Sequence, residues 1–209
     1  MSTRARRPEA RPDEILDAAL GAFSELGFAG ARIDDVAARA GLSKGAVYLY
    51  FKSKEDLLMA LVRRLADRVV GAAEGLATAK GADAEATLRM LLTFMAVQLS
   101  DPRVSAAPRI VIAEAQRFPE LAAFYRSAVI DRAQRLLTGL IDRGVAEGVF
   151  RDIDRAVALR GCAGPMLVHM LLSTVFADPK NPGPAPDVLA SGIADMILNG
   201  LKVKDGASS

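Results

Sequence analysis

The chain has 209 residues, 51% of them hydrophobic and 25% charged, with one cysteine, one histidine and a formal net charge of +2. That composition can bury a sizeable core, so it excludes a disordered chain, and one cysteine excludes a disulfide-stapled scaffold. Cys162 and His169 are too few soft ligands for a metal site, and no acidic residues cluster at coordinating spacing, so neither a metal nor another cofactor is expected.

Residues 1 to 64 hold 11 Lys/Arg against 9 Asp/Glu, whereas residues 65 to 209 hold 16 against 16, so the positive excess lies at the front. There Arg4, Arg6, Arg7 and Arg11 face only Glu9, a loose arm suited to lying along phosphates or simply to solvation. No apolar segment follows this start, so no secretory signal is predicted and a cytoplasmic location is expected. The longest uncharged stretch, Gly161 to Ala177, falls short of the roughly 20 residues of a membrane helix and contains Pro165 and His169. It is predicted to be a buried core helix, and no membrane partner is expected.

Apolar residues recur at three- and four-residue steps without strict alternation, which predicts an all-α protein. Pro12 and Asp13 open a helix with Ile15, Ala19, Phe23 and Leu26 on one stripe, and Gly27 is suited to a left-handed stop. A short helix, roughly Asp34 to Ala40, turns Ile33, Val36, Ala37 and Ala40 inward and ends at Gly41. Ser43 caps a third helix, Lys44 to Phe51, whose Val47 and Phe51 share the buried side. Ser53 caps the next, with Asp56 in its first turn and Leu57, Leu58, Leu61, Val62 and Leu65 carrying it onward.

Past residue 75 longer amphipathic helices follow. Leu88, Leu91, Leu92, Met95 and Leu99 mark one, with a break at Asp101-Pro102, and Ile110, Val111 and Ala115 mark another. Pro119 restarts the chain in a helix that runs through Leu121, Phe124, Ile130, Leu137 and Ile141 to Gly144. Asp152 or Asp154 starts a helix to about Phe176. Asp178 to Asp187, with Pro179, Pro182, Pro184 and Pro186, is predicted to be a surface connection. A last helix carries Val188, Leu189, Ile193, Met196, Ile197 and Leu201, and Lys202 to Ser209 is a polar tail.

Two short helices joined at Gly41 and braced by a longer helix on each side form a helix-turn-helix. With Val47 and Phe51 inward, Gly45 and Leu49 face outward, flanked by Ala46 and Tyr48. Gly45 and Ala46 admit a close backbone approach and Leu49 suits a thymine methyl, while Lys44, Tyr48 and Tyr50 reach phosphates. Lys54 opens the following helix, whose free N–H groups also favour a phosphate. Each has a structural alternative: packing for the tyrosines, solvation for Lys44, conformation for the glycines.

The run from Ile33 to Leu58, Ile-Asp-Asp-Val-Ala-Ala-Arg-Ala-Gly-Leu-Ser-Lys-Gly-Ala-Val-Tyr-Leu-Tyr-Phe-Lys-Ser-Lys-Glu-Asp-Leu-Leu, resembles the TetR/AcrR family of transcriptional regulators. Ile15-Leu-Asp-Ala-Ala and Phe23-Ser-Glu-Leu-Gly-Phe28 are in register with it. The resemblance covers residues 11–71, with the helix-turn-helix near 34–53, and implies a homodimer bound to a near-palindromic double-stranded DNA operator, usually as a repressor released by a small-molecule effector. It places Ser43, Lys44, Gly45, Ala46, Tyr48, Leu49, Tyr50 and Lys54 at operator-contacting positions. Two positions depart from the family pattern. Arg32 stands where Ser or Thr is common, losing a cap while offering a phosphate ligand, and Leu49 stands where a polar or aromatic residue often reads bases.

Residues 72–209 resemble the family only in length and helical character and are expected to form the effector-binding and dimerisation domain. The last two helices are candidates for the dimer interface, with Gly161, Ala163 and Gly164 permitting close approach; the apolar stripe would otherwise serve its own chain's core. Polar or soft residues within apolar helices are the effector-pocket candidates: Met90, Phe94, Gln98, Arg109, Glu114, Tyr125, Met166, His169 and Met170. A Met or Phe at helical spacing serves a core equally well, and His169 suits a hydrogen-bonded core position. Their chemistry favours an apolar or aromatic effector, with Arg109 or Glu114 available to a charged one.

No catalysis is expected. Cys162 and His169 lie seven residues apart, about 10.5 Å along a helix, too far for a thiolate–imidazole couple, and no phosphate loop or nucleophile elbow appears. The remaining alternative is a helical ligand-binding or interaction module of the same fold that no longer binds DNA.

Overall fold

The computed structural model describes residues 11–79 and 81–202, so the basic arm at Arg4, Arg6 and Arg7 and the tail at 203–209 lie outside the described residues. Among the described residues the chain is all-α: α1 (Arg11–Gly30), α2 (Ile33–Ala40), α3 (Lys44–Tyr48), α4 (Lys54–Ala77), α5 (Ala84–Ser100), α6 (Pro102–Glu114), α7 (Pro119–Tyr125), a π-helical turn (Arg126–Ile130), α8 (Asp131–Ala146), α9 (Arg155–Thr174) and α10 (Pro186–Leu201). The helices gather in two compact units. The first comprises the described part of Met1–Leu65 with Ala106–Tyr125, the second Ala66–Ser105 with the described part of Arg126–Ser209.

The first unit is built on Ile15, Ala19, Phe23, Val36, Val47, Leu57 and Leu61, all buried. Ala106, Ala107, Ile110, Val111 and Leu121 join the same cluster. The unit therefore takes in a segment that the sequence reading assigns to the C-terminal body.

Gly27 has φ 70° and ψ 160°, a backbone that favours glycine, so α1 breaks at the expected residue. The consequence for Leu26 differs from expectation: it is 48% exposed. The turn at Gly27 instead swings Phe28 inward, edge-on to Phe23 at 5.3 Å and to Phe118 at 5.6 Å.

In the second unit, Leu88, Leu92, Ile141, Phe150, Met166 and Leu198 form the core. α8 ends in a Schellman motif: Val149 N–H donates to Gly144 C=O at 3.0 Å and Gly148 N–H to Val145 C=O at 3.1 Å, with Gly148 at φ 74°. This fold-back lays the buried Phe150 ring directly over Gly144.

Three further expectations are corrected. Pro186 starts α10 instead of lying in the connection, because the first helical turn needs no N–H from it. The helix expected to run unbroken from Pro119 passes through the π-helical turn at 126–130. α9 is no fully buried core helix. Ala158, Cys162, Met166 and Met170 are buried along one face, while Val157, Leu167, Val168 and Leu172 are exposed. α10 likewise buries Ala190, Ile193, Ala194 and Leu198 and exposes Val188 and Met196.

Candidate nucleic-acid interface

The turn between α2 and α3 is held by backbone chemistry. Gly41 adopts φ 65° and ψ 35°, the left-handed conformation that closes α2, and Leu42 N–H donates to Ala37 C=O at 2.9 Å. Ser43 then caps α3, its hydroxyl oxygen accepting from Ala46 N–H at 3.2 Å. α3 is shorter than predicted, ending at Tyr48. Leu49 N–H to Gly45 C=O and Phe51 N–H to Val47 C=O nevertheless continue the helical bonding through the next turn.

Val47 and Phe51, 0% and 7% exposed, anchor this element from behind. Its outer face is bare: Leu49 is 82% exposed and Tyr48 45%, with Tyr50 beside them at 38%. A methyl group added to Gly45 would meet nothing nearer than Ser43 Oγ at 4.0 Å, so the N-terminal half of α3 is open to a close approach. A short, open helix with apolar and aromatic side chains outward has the shape that a major groove accepts.

Charged groups surround this face. Lys44 Nζ pairs with Asp34 Oδ2 at 2.8 Å. That contact is the main reason the Lys44 pKa is raised, against smaller opposing effects from loss of hydration and from the Arg32 charge. Arg32 precedes α2 and has no acceptor with which to cap it; Asp35 compensates, its carboxylate accepting from Arg32 N–H at 2.7 Å. The Arg32 guanidinium has no partner among the described residues. An ion pair between Arg39 and Glu25 ties α2 to α1, and its hydrogen bond holds the Glu25 carboxyl below the usual range.

Lys54 is placed differently from its sequence-based role. Its ammonium donates to the carbonyls of Phe28 at 2.7 Å and Ala31 at 3.0 Å, and lies 4.5 Å from the Phe28 ring centre. It closes the end of α1, and a phosphate at the start of α4 would meet backbone N–H groups instead.

The effector candidates divide between the units. Arg109, Glu114 and Tyr125 belong to the first, and Met90, Phe94, Gln98, Met166, His169 and Met170 to the second. Glu114 is buried, Arg109 Nε is buried without a hydrogen bond, and burial pushes the Tyr125 phenol up to about 12. Phe94 and Met166 share the second core. A groove of about 350 Å³ in the second unit is lined by residues that the sequence had not singled out, among them Arg132, Arg135, Leu136, Gly139 and Arg143. They escape a sequence reading because arginines spaced along an amphipathic helix look like an ordinary solvated face.

The only histidine and cysteine are set in the structural positions that their surroundings dictate. Burial raises the Cys162 thiol to about 11. Ser100 Oγ donates to Ala96 C=O at 2.8 Å, so it must accept from His169 Nε2–H at 2.9 Å, leaving Nδ1 to Ser173 Oγ at 3.2 Å. The tautomer is assigned from this network. Burial lowers the His169 pKa, since the imidazolium loses hydration. The unfolded chain therefore binds this proton at higher pH than the folded one. The contribution to stability is complete above the unfolded value of about 6.5 and declines as pH falls below it. Between about pH 7 and pH 5, wild type should lose more melting temperature than His169→Gln; parallel curves would show that the site is insensitive to protonation.

An open, capped α3 carried on an all-helical chain defines a helix-turn-helix DNA-binding protein. Consistent with this, the model for bacterial regulatory proteins of the tetR family matches residues 15–61, and that for the tetracyclin repressor-like C-terminal domain matches residues 78–181. The HTH-type transcriptional repressor KstR2 of Rhodococcus jostii is 32% identical over 155 residues, 72% of this chain and 73% of its own. Among solved structures, the fatty acid degradation regulator FadR of Bacillus halodurans is 25% identical with a TM-score of 0.74, covering 93% of this chain and 97% of that one. FadR of Bacillus subtilis in complex with stearoyl-CoA shares the fold at 22% identity and a TM-score of 0.73, over 90% of this chain and 98% of that one. The chain belongs to the TetR family of transcriptional regulators.

Proposed function

We propose that the protein is a cytoplasmic, homodimeric repressor that leaves a palindromic operator when a small-molecule effector binds its helical body. The observation that carries the DNA-binding part is the exposed Tyr48–Leu49–Tyr50 face beside Lys44, anchored by the buried Val47 and Phe51. Residues 11–71 read the operator, with Arg32, Ser43, Lys44, Gly45, Ala46, Tyr48, Leu49 and Tyr50 at the contact surface, and residues 72–209 bind the effector and the second copy. The exposed apolar strip of α9 and α10, from Val157 through Leu172 to Met196, supports the dimer, since water-exposed side chains of that size gain by meeting their own copy. Two reading heads must then sit about 34 to 36 Å apart, one turn of DNA.

The buried Met166 and Met170, the half-buried Met90 and Phe94, and the stearoyl-CoA held by one FadR support an effector with a large apolar part. Such a ligand releases DNA only by preferring the conformer that cannot bind the operator. Helix α4, whose residues fall in both units, is the element through which that preference would act.

Selection of bound sequences from a random DNA pool tests the reading. The expected result is a palindrome with half-sites one helical turn apart, whose binding Lys44→Ala or Tyr48→Ala weakens while dimer and melting temperature hold. A folded dimer that enriches no motif would point instead to a module of this fold that does not bind DNA.

A further inference from the structure

The DNA-facing surface contains one group that works against its proposed purpose. Asp34, in the first turn of α2, is an exposed carboxylate whose Oδ2 lies 2.8 Å from Lys44 Nζ. Asp35, its neighbour, is accounted for by the start of α2, where it accepts from Arg32 N–H. Asp34 accepts no backbone hydrogen bond there: its only side-chain partner among the described residues is the lysine expected to reach DNA.

We propose that Asp34 is an affinity-limiting residue of the DNA-binding surface, which neutralises Lys44 in the free protein and so weakens its grip on DNA of any sequence. The inference rests on the DNA-binding reading and deepens it. Non-specific affinity comes almost wholly from cations that displace counterions at phosphates. A Lys44–Asp34 pair is neutral overall: when it docks, either Lys44 stays paired and displaces no counterion, or it moves to a phosphate and strands the carboxylate beside the polyanion. Both outcomes lower affinity for any sequence alike. Discrimination is a difference of binding free energies, so a penalty shared by operator and bulk DNA leaves the ratio between them unchanged. A carboxylate in this position therefore lowers operator and bulk affinity by the same factor and eases release from both.

The test compares full-length wild type, Asp34→Asn, Asp34→Glu, Lys44→Ala and the Asp34→Asn/Lys44→Ala double variant on a short random-sequence duplex, by fluorescence anisotropy, over roughly 50 to 200 mM salt. Asp34→Asn should bind this duplex several-fold more tightly at the low-salt end, with a log–log salt slope steeper by about one per reading head. Asp34→Glu, which keeps the charge and the acidic first turn of α2, should stay near wild type. The gain from Asp34→Asn should shrink in the Lys44→Ala background. On a site enriched from the random pool, Asp34→Asn should gain by a similar factor, so its preference for that site over random DNA should stay near that of wild type. Equal or weaker random-DNA binding by a folded Asp34→Asn would overturn the proposal and make Asp34 a residue that positions Lys44. An undiminished gain without Lys44 would overturn it as well, since Asp34 would then act by its own charge alone. If wild type itself shows no salt-dependent DNA binding, the DNA-binding reading fails and this inference falls with it.

Discussion

Replacing Gly144 by alanine is expected to destabilise the second unit by about 1–3 kcal/mol, the usual cost of forcing extra volume into a packed core. At roughly 2–4 °C per kcal/mol for a chain of this length, the loss is plain in a melting curve. The new methyl group would fall inside the Phe150 ring, which is 2% exposed and held there by the Schellman fold-back. Neither side can yield cheaply: Gly144 lies in the last turns of α8, and Phe150 N–H donates to Gly144 C=O at 3.0 Å. Gly139, in the same helix, is the control, because a methyl group there meets nothing within 4 Å. Gly139→Ala should be neutral or stabilising by about 0.5–1 kcal/mol through helix propensity. Equal gains in both variants would show that helix propensity, and not the Phe150 contact, governs α8.

Lys54→Met should lower both the stability of the first unit and its affinity for DNA. α1 kinks at Gly27 and ends at Gly30, and the Lys54 ammonium takes the carbonyls of Phe28 and Ala31 around that end at 2.7 and 3.0 Å. Loss of the charge strands partly buried acceptors, at about 1–3 kcal/mol. The carbonyls belong to Phe28 and Ala31, immediately before Arg32 and α2, so the same side chain sets where the reading helices begin. The measurement separates this role from a direct phosphate contact. A phosphate contact would reduce the salt slope of DNA binding and leave the melting temperature unchanged; the carbonyl role lowers the melting temperature and leaves the slope nearly intact.

Lys54 also shows where sequence reasoning stops. Gly41, Ser43, Val47 and Phe51 act through neighbours within a few residues, and their roles in the turn, the cap and the buried face were legible from spacing alone. Lys54 meets residues 23 and 26 positions away, and no local pattern announces such a contact. The same holds for residues 106–125, whose apolar stripe reads like that of any other helix although it joins the first unit. Leu26 has the right periodicity, yet the reversal at Gly27 gives its place to Phe28. Asp34 was visible as a residue of the motif, but only the 2.8 Å contact with Lys44 reveals a carboxylate opposing the phosphate contacts around it.

Leu49 contributes almost nothing to the core, its side chain standing clear of the protein at 82% exposure, while Val47 and Phe51 hold the element in place. If that side chain meets a base, the residues that choose a DNA sequence and those that keep the protein folded are different residues. A lineage descended from this chain can then exchange Leu49, acquire a new set of target promoters in one step, and forfeit no stability in doing so. Gene duplication followed by change at this single position would be a short evolutionary route to two regulators with the same body and separate regulons.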